Sequence, residues 1–465
     1  MLGRVDLLLP LAALAIATLG LALLFEPFVS WYFQWAWWSY IFVVDALNRR
    51  LGAPSLVRGR TREFLRLCGL SVVLWTFFEA LNLRLGNWYY VMDHPRLAAR
   101  WLGGLVAFAT VLPAILGTES LLSRVSRLGH VPVSPLRWSQ SREVACLFTG
   151  FACLLLPLAW PDLFFPLAWG SVVLLLEPWN RRHARRSLLR DLEAGEAGPF
   201  LRTLLAGLVC GLLWECWNFW ARSKWVYTVP GFEELKVFEM PLVGFLGFPA
   251  FALECQSAIR FTEAWRERVL GLPRARTRAL RWGTIAAALA ATLVVFAAAD
   301  SRTVDSIYTP VERLEVLPAP DRARLAASGL TSPEALLRAL SAEDELQEWS
   351  VRTGIPTEGL RAHRERVALV MHRGLGQDRA RELAALGIRT RAELAAWSPE
   401  RLVAALRATG ARGPDRFLER RARVWLEGLE ESPDTRGPCT APRAGSLSSS
   451  SATPSSTTAS LPTRP

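Results

Sequence analysis

The chain has 465 residues, of which 51% are hydrophobic, and it carries a formal net charge of +12 at pH 7. The apolar residues are gathered into runs long enough to cross a bilayer, which excludes a purely soluble globular protein. The basic residues, nearly all of them Arg, lie between these runs as membrane loops predict, so the charge does not require a nucleic-acid partner. Seven Cys without a Cys-x-x-Cys spacing predict neither a disulfide framework nor a zinc site.

Nine apolar runs predict nine membrane-spanning helices. The first run, Leu7–Phe25, has its only small-x-small element inside the apolar stretch, which favours a retained helix over a cleaved signal peptide. The sixth run, Leu163–Leu176, is short for a span. The other runs are Trp31–Leu47, Phe64–Leu83, Trp101–Leu121, Val144–Trp160, Thr203–Trp220, Met240–Ile259 and Trp282–Ala299.

The distribution of Arg predicts the orientation of the spans, because cytoplasmic loops are enriched in Arg and Lys. Four loops that carry four to seven Arg each alternate with loops that carry six Arg or Lys in total. The protein is therefore predicted in a bacterial inner membrane with its N-terminus in the cytoplasm. With an odd number of spans, everything after Ala299 is predicted outside, in the periplasm. The Arg-rich loops are Asn48–Arg62, Ser123–Arg142, Asn180–Arg202 and Arg260–Arg281.

Four motifs of the first four spans recur in the next four, in the same order and nearly the same register. Four spans separate each pair, so the two copies have the same orientation. The sequence thus predicts an all-α, polytopic membrane protein with two tandem parallel four-helix repeats, residues 1–142 and 143–260. Parallel repeats of this kind place a site between their halves. The matched residues are Asp45 and Asn48 with Glu177 and Asn180, Glu79 and Asn82 with Glu215 and Asn218, Trp88 and Tyr90 with Trp225 and Tyr227, and Pro113 and Glu119 with Pro249 and Glu254.

Beyond the repeats, we predict a basic loop and the ninth helix over residues 261–300 and a linker over residues 301–320. Residues 321–431 alternate helical patterns with short turns and predict a small soluble helical domain. Gly374 and Gly376 resemble the turn of a helix-hairpin-helix, where backbone N–H groups of the next helix can hold a phosphate. Because this region is close to neutral, the sequence favours a protein partner or a spacer role over nucleic acid. Residues 432–465, rich in Ser, Thr and Pro, predict a disordered tail.

Three carboxylates of the second repeat stand in or beside apolar runs, where a charged group is costly and often marks a site. Glu215 and Asn218 lie three residues apart, on one face of a helix. Glu239 stands immediately before the eighth apolar run, and Glu254 lies in its far half. An interhelical hydrogen-bond clamp is the alternative to a site. No phosphate-binding loop, nucleophile elbow or zinc-protease motif occurs in the sequence, so we predict no metal and no cofactor.

A series of aromatic and acidic residues runs through this second repeat. In chain order they are Trp214, Glu215, Trp225, Tyr227, Glu239, Pro241, Pro249 and Glu254. The series resembles that of the membrane lycopene cyclase domain of carotenoid biosynthesis, with Glu239-Met-Pro241 standing where that family has Pro-x-Glu-Glu. The family also uses tandem membrane repeats, and the resemblance covers roughly residues 177–254, more weakly the first repeat.

The resemblance implies a non-redox, cyclase- or isomerase-like reaction on an isoprenoid or other lipid. In such a reaction an acid protonates a polyene end and aromatic faces stabilise the cation, while a second group orients the acid or removes a proton. The resemblance implies Glu215, Glu239 and Glu254 as acid candidates, with Asn218 orienting them, and no redox cofactor. The residues expected to bind substrate are Trp214, Trp225, Tyr227, Glu79, Asn82, Trp88 and Tyr90.

The sequence is compatible with three functions. The first is a membrane enzyme of the kind just described, and the second is a small-solute transporter whose halves rock about the paired carboxylates. The third is a non-catalytic scaffold that presents the C-terminal domain to a protein partner. The two copies are unequal, because Glu233, Glu234 and Glu239 have no equivalents in the first repeat. This asymmetry favours the enzyme, since a rocking transporter tends to keep matching polar groups in both halves.

Overall fold

The computed structural model describes residues 2–125, 127–230, 236–410, 415–427 and 429. Within these ranges the chain is predominantly helical, which confirms the coarse fold class expected from the sequence. Two short two-stranded sheets are the exception. The predicted tail of residues 432–465 lies outside the described residues, as do Glu233 and Glu234.

The helices of the first 302 residues follow the apolar runs. Short 3-10 helices at Phe165–Gly170 and Leu242–Leu246 lead into two of them. The helices are α1 (Leu2–Ala22), α2 (Phe28–Arg50), α3 (Thr61–Leu85), α4 (Leu97–Phe108), α5 (Val111–Val125), α6 (Gln140–Ala159), α7 (Pro161–Phe164), α8 (Ser171–His183), α9 (Leu188–Glu193), α10 (Gly198–Trp220), α11 (Gly247–Leu270) and α12 (Arg274–Arg302).

Eight helical segments of the described residues are long and apolar enough to cross a membrane. Each overlaps one of the nine predicted runs. The remaining run forms α2, whose Trp, Tyr and Gln residues and terminal Arg pair make it less apolar, so its crossing stays a prediction. The eight segments are Val5–Ala22, Thr61–Leu85, Leu97–Val125, Gln140–Ala159, Pro161–His183, Gly198–Trp220, Leu242–Leu270 and Arg276–Arg302.

Helix α2 is an aromatic helix that packs against α1, α5 and α10. Its residues Phe33 and Trp37 are buried, because one face of the helix is turned towards α10. The ring centroid of Trp37 lies 4.9 Å from that of Trp217, and the centroid of Phe33 lies 5.5 Å from that of Trp214. Aromatic pairs at such distances stabilise a helix contact beyond the area they bury. The contact between α2 and α10 is therefore lined with rings.

The loops after α3 and α10 pair with each other. Strand β1 (Trp88–Val91) runs antiparallel to β2 (Lys224–Tyr227). The start of the segment after α12 joins the same structure, since the Tyr90 N–H donates to the Thr303 oxygen at 2.8 Å. A second pair, β3 (Lys236–Val237) and β4 (Met240–Pro241), precedes α11. These strands are short and irregularly patterned, so the sequence did not predict them.

The C-terminal part consists of short helices around two apolar clusters. One cluster surrounds Leu336 and Leu360, and the other surrounds Leu383 and Trp425. Leucines at helical spacing supply both cores, which explains why the region folds without long helices. The helices are α13 (Ala319–Ala327), α14 (Pro333–Ala339), α15 (Glu343–Thr353), α16 (Thr357–Val370), α17 (Gly376–Ala385), α18 (Arg391–Ala395), α19 (Pro399–Ala408) and α20 (Asp415–Leu426).

These C-terminal helices lie on the loop face that carries β1 and β2. The buried carboxylate of Asp305 accepts a hydrogen bond from Arg421 Nη1 at 2.8 Å. Gly374, at a φ of +75°, approaches Val91 so closely that a Cβ would lie 2.1 Å from a Val91 methyl group. A residue with a side chain does not fit at this position. The C-terminal part is thus packed on the membrane part rather than tethered to it by a free linker.

Burial lowers the pKa of His372 to about 4, and its Nε2 donates to the Trp425 backbone oxygen at 2.6 Å. An unfolded His titrates near 6.5, so its stabilising contribution is complete above that pH and is lost as the pH falls from 6.5 towards 4. The loss is about 3 kcal/mol at most. We expect His372→Gln, which does not titrate, to show a smaller fall in thermal midpoint between pH 7 and pH 4 than the wild-type chain. An equal fall in both proteins would contradict this prediction.

Candidate functional site

Two buried asparagines hold the paired loops, one in each half of the membrane part. Asn82 Nδ2 donates to the Trp88 oxygen at 2.9 Å, while its Oδ1 accepts from the backbone N–H of Asn87 at 2.8 Å. Asn218 does the same to Trp225, with distances of 3.0 Å and 3.1 Å. Each asparagine lies in the last turn of a long helix and satisfies backbone groups of buried loop residues. They fix β1 and β2 relative to α3 and α10.

Replacing Asn82 with Ala is expected to destabilise the membrane part by about 2 to 4 kcal/mol. The side chain is fully buried and its loss leaves the N–H groups of Asn87 and Trp88 and the Trp88 oxygen without partners. Thermal unfolding of the detergent-solubilised chain measures the change. The exposed Gln140→Ala, near the start of α6, is the control and should shift the midpoint little. A shift no larger than that of the control would contradict the role of Asn82.

Glu79 and Glu215 lie one helical turn before these asparagines and bind ring donors. Glu79 Oε1 accepts from the Nε1 groups of Trp75 and Trp88, at 3.0 Å and 3.1 Å, and from the Tyr90 hydroxyl at 2.5 Å. Glu215 Oε1 accepts from a tyrosine hydroxyl, that of Tyr227, at 2.7 Å. The second oxygen of each carboxyl is buried and has no hydrogen-bond partner among the described residues.

A cavity of about 570 Å³ opens between α2, α4, α10, α11 and the paired strands. Its walls are mostly apolar and rich in aromatic rings, and its lining carboxyls are those of Glu79, Asp93 and Asp300. The Trp75 and Trp214 ring centroids lie 5.0 Å apart, which makes one continuous wall of rings. The volume falls in the range of small-molecule sites. Of the predicted substrate residues, the lining includes Glu79, Trp88, Tyr90, Trp214, Trp225 and Tyr227.

The cavity is polar only at its end near the loops. Arg100 Nε lies 2.8 Å from Asp300 Oδ1, and Arg100 Nη1 donates to the His94 oxygen at 2.7 Å. Asp93 accepts from the Ser223 hydroxyl at 3.3 Å, and burial raises the pKa of Asp93. The opposite end reaches apolar residues in the middle of α5 and α10. A ligand of matching shape has a polar terminus and a long apolar body.

The predicted acids occupy different surroundings. Glu215 and Asn218 lie behind Tyr227 and Trp225 and do not line the cavity, and neither does Glu254. Glu254 Oε1 instead accepts from the Val172 N–H at 2.9 Å, at the start of α8.

Glu239 is the third predicted acid, and it lies at the loop end of the membrane part. It pairs with Lys224 Nζ at 2.6 Å. Burial acts to raise its pKa, but the positive charges of Lys224 and Arg373 outweigh burial and hold the pKa below its usual value. Glu239 is therefore an ion-paired carboxylate rather than a proton donor at neutral pH.

Sequence reasoning missed Trp75, Phe108 and Phe251, which complete the aromatic wall. Trp75 could have been predicted from the sequence, because it precedes Glu79 by four residues and therefore lies on the same face of the helix. Phe108 and Phe251 had none, since nothing in their own helices distinguishes them from ordinary core residues.

The glycines of the predicted hairpin lie at the contact between the two parts of the chain. A Cβ on Gly374 would meet Val91, and one on Gly376 would meet the Ser306 side chain at 2.3 Å. Both have positive φ, +75° and +68°, which only Gly adopts without strain. Their structural role in this contact accounts for the glycines, and phosphate binding there stays a prediction.

Comparison with known proteins informs only the C-terminal part. Residues 318–418 match the model of a domain of unknown function (DUF4332). No curated protein and no solved structure matches the chain. The match begins at the end of the predicted linker and covers most of the predicted helical domain, while the membrane part with the cavity is matched by none of the three comparisons.

Proposed function

We propose that the membrane part is an enzyme that binds an isoprenoid or similar lipid in the aromatic cavity and transforms it by acid/base chemistry. The observation that carries this proposal is the position of Glu79. Its carboxyl lines a cavity walled by Trp75, Trp88 and Trp214, and one of its oxygens is buried without a partner among the described residues. An acid in an apolar, ring-lined cavity is suited to protonating an unsaturated chain.

The reaction balances without a redox partner. Protonation of a carbon–carbon double bond by Glu79 forms a C–H bond and leaves a carbocation. The faces of Trp75 and Trp214 stabilise that cation. The electron pair of a second double bond of the chain attacks the cation, which forms a carbon–carbon bond, closes the ring and moves the positive charge to the other carbon of that double bond. Loss of a proton from a carbon next to the new cation restores one double bond. The proton returns to a carboxylate of the site, so the product is an isomer of the substrate.

Glu215 acts in this scheme through Tyr227. The Tyr227 hydroxyl donates to Glu215, and Tyr227 lines the cavity while Glu215 does not. The Glu215 carboxyl therefore fixes the position of the Tyr227 ring without contacting the ligand itself. Asn218 holds the neighbouring strand. We therefore assign Glu79 to proton transfer and the Glu215–Tyr227 pair to positioning, which reverses the weight that the resemblance gives to the second repeat.

The tandem arrangement of two four-helix repeats in a bacterial inner membrane belongs to this proposal. It is supported by the matching hydrogen bonds of Asn82 with Asn218 and of Glu79 with Glu215, and by the pairing of β1 with β2. With α2 as a ninth span, the lightly basic loops and the C-terminal part share one side of the membrane. The distribution of Arg makes that side the periplasm.

The direct test is a lipid and pigment profile of cells that make the protein and of cells that lack it. Chromatography with mass detection should find a compound whose mass equals that of a precursor but whose retention differs. This isomer should disappear when Glu79 is replaced by Gln. Identical profiles with and without the protein would contradict an enzyme of this class.

A scaffold is the second candidate, and the docked C-terminal part favours it. In that interpretation Glu79, Asn82, Glu215 and Asn218 are clamps that fix the strands on which the C-terminal helices lie. The profile should then be unchanged, Glu215→Gln should leave function intact, and truncation at Asp300 should abolish it. The same set of strains therefore separates the two functions.

A further inference from the structure

A second cavity, of about 440 Å³, lies at the end of the bundle opposite to the first. The first cavity is lined by the start of α2 and of α11, whereas the second is lined by the end of α2, the start of α3 and the second half of α11. It opens among the Arg-rich loops. The two cavities share no lining residue, so this space is not part of the proposed catalytic site.

Arg260 is the central side chain of this second cavity. It is only 9% exposed, yet it makes no hydrogen bond to any residue that the structure describes. Its ion pair with Asp191 is long, with 3.9 Å between Nη1 and Oδ2. Its Nη1 is fully buried and has no hydrogen-bond partner among the described residues, which is costly because the N–H donors of this nitrogen have given up water without a replacement. The missing acceptors are supplied most simply by an anion in the cavity.

The acidic residues of the lining do not satisfy this need, because most are already engaged. Glu119 pairs with Arg202 at 2.9 Å, and Glu267 pairs with Arg185 at 3.1 Å. Asp45 accepts from the Ser55 hydroxyl at 2.6 Å and from the Leu56 N–H at 2.8 Å, and Glu63 pairs with Arg60. Glu263 is exposed at the rim.

A second cation, Arg186, lines the cavity and is exposed to solvent. It too makes no hydrogen bond within the described ranges. Two guanidinium groups, one buried and one at the rim, therefore face the same space.

The floor of the cavity is apolar, with Ile41, Phe64, Leu116 and Ile259 beneath the charged rim. We propose that this cavity binds a phosphate monoester, held by Arg260 and Arg186, with an attached apolar group against the floor. Guanidinium binds phosphate oxygens with short, charge-assisted hydrogen bonds. Basic pockets between membrane helices are known places for phospholipid head groups. The phosphate belongs to a membrane lipid or to a free phosphorylated molecule, and titration with each ligand separates these sources.

The test titrates the full-length chain in detergent with dioleoyl phosphatidic acid, dioleoyl phosphatidylcholine or sodium phosphate, and follows the thermal midpoint. A ligand of the folded state raises the midpoint with concentration. We expect phosphatidic acid to stabilise the wild-type chain and Arg260→Gln to weaken its apparent affinity about tenfold or more, because a charge-assisted contact is lost. Arg186→Gln should weaken it less. Arg278→Gln, which removes an exposed charge from the same basic face outside the cavity, is the matched control and should bind as the wild type does.

Stabilisation by phosphatidic acid alone identifies a lipid head group, and stabilisation by sodium phosphate as well identifies a site for soluble phosphates. Equal effects of phosphatidic acid and phosphatidylcholine, or no effect of phosphatidic acid and phosphate, would overturn the proposal. The proposal would also be overturned if Arg260→Gln bound phosphatidic acid with wild-type affinity, or if Arg278→Gln lost as much affinity as Arg260→Gln. If Arg260→Gln does not fold, Arg186→Gln decides, and wild-type affinity in that variant counts against the site.

Discussion

Glu79→Gln is expected to slow the proposed reaction by about 10²- to 10⁴-fold, the range that a positioned acid contributes. The amide oxygen still accepts from Trp75, Trp88 and Tyr90, so the cavity keeps its shape while the transferable proton is lost. The rate of isomer formation in isolated membranes measures the effect. Thermal unfolding of the same variant checks that the fold is intact.

The matched control for this prediction is Glu334→Gln. Glu334 is also a buried carboxyl bound to a tyrosine, with the Tyr308 hydroxyl at 2.9 Å, but it lies in the C-terminal helices. The Glu334→Gln variant should form the isomer at the wild-type rate. A full rate in Glu79→Gln would remove Glu79 as the acid, and a loss of rate in Glu254→Gln instead would move the chemistry to the carboxyl beside α8.

Removal of the Asp305 carboxylate is expected to release the C-terminal helices from the loop face. Asp305 accepts from Arg421 at 2.8 Å and lies 3.6 Å from Arg379 Nε, and its side chain is 3% exposed. Asp305→Ala leaves two largely buried guanidinium groups without this counterion, which costs about 3 to 5 kcal/mol. Faster tryptic cleavage after residue 302 and a separate, earlier unfolding transition are the expected signs.

Asp378→Ala is the control for the docking contact. Asp378 also pairs with an arginine, Arg381 at 2.7 Å, but the carboxylate is 77% exposed, so its loss should cost less than about 1 kcal/mol. If Asp305→Ala and Asp378→Ala were cleaved at the same rate, Asp305 would not be what holds the two parts together. If Asp305→Ala kept the isomer profile, the docked part would be dispensable for the chemistry.

Local patterns predicted the helices and the positions of the polar residues within them. Apolar runs are read directly from the chain because a membrane span must be long and apolar, and eight of the nine predicted runs correspond to such helices in the described residues. The aromatic run of α2 is the exception, since Trp and Tyr are bulky but less apolar. The spacing of Glu79 and Asn82 placed both side chains on one helix face, because that relation depends only on the helical repeat.

The lining of the cavity depended on contacts between distant parts of the chain. Glu79 meets the cavity and Glu239 does not, although both are acids next to aromatic residues. Lys224 is 15 residues from Glu239 in the chain but 2.6 Å away in space. No local pattern predicts this ion pair, because it depends on how the loop after β2 folds back towards Lys224.

By itself, then, the sequence determined the predominantly helical architecture with segments able to cross a membrane, and which of those segments carry carboxylates, because hydrophobicity and helical spacing are properties of neighbouring residues. Only the tertiary structure decided that β1 pairs with β2, that Glu79 faces the ring-lined space, and that Arg260 is buried without hydrogen bonds among the described residues. These features arise from contacts between segments that are far apart in the chain, and a single sequence contains no local pattern that predicts such contacts.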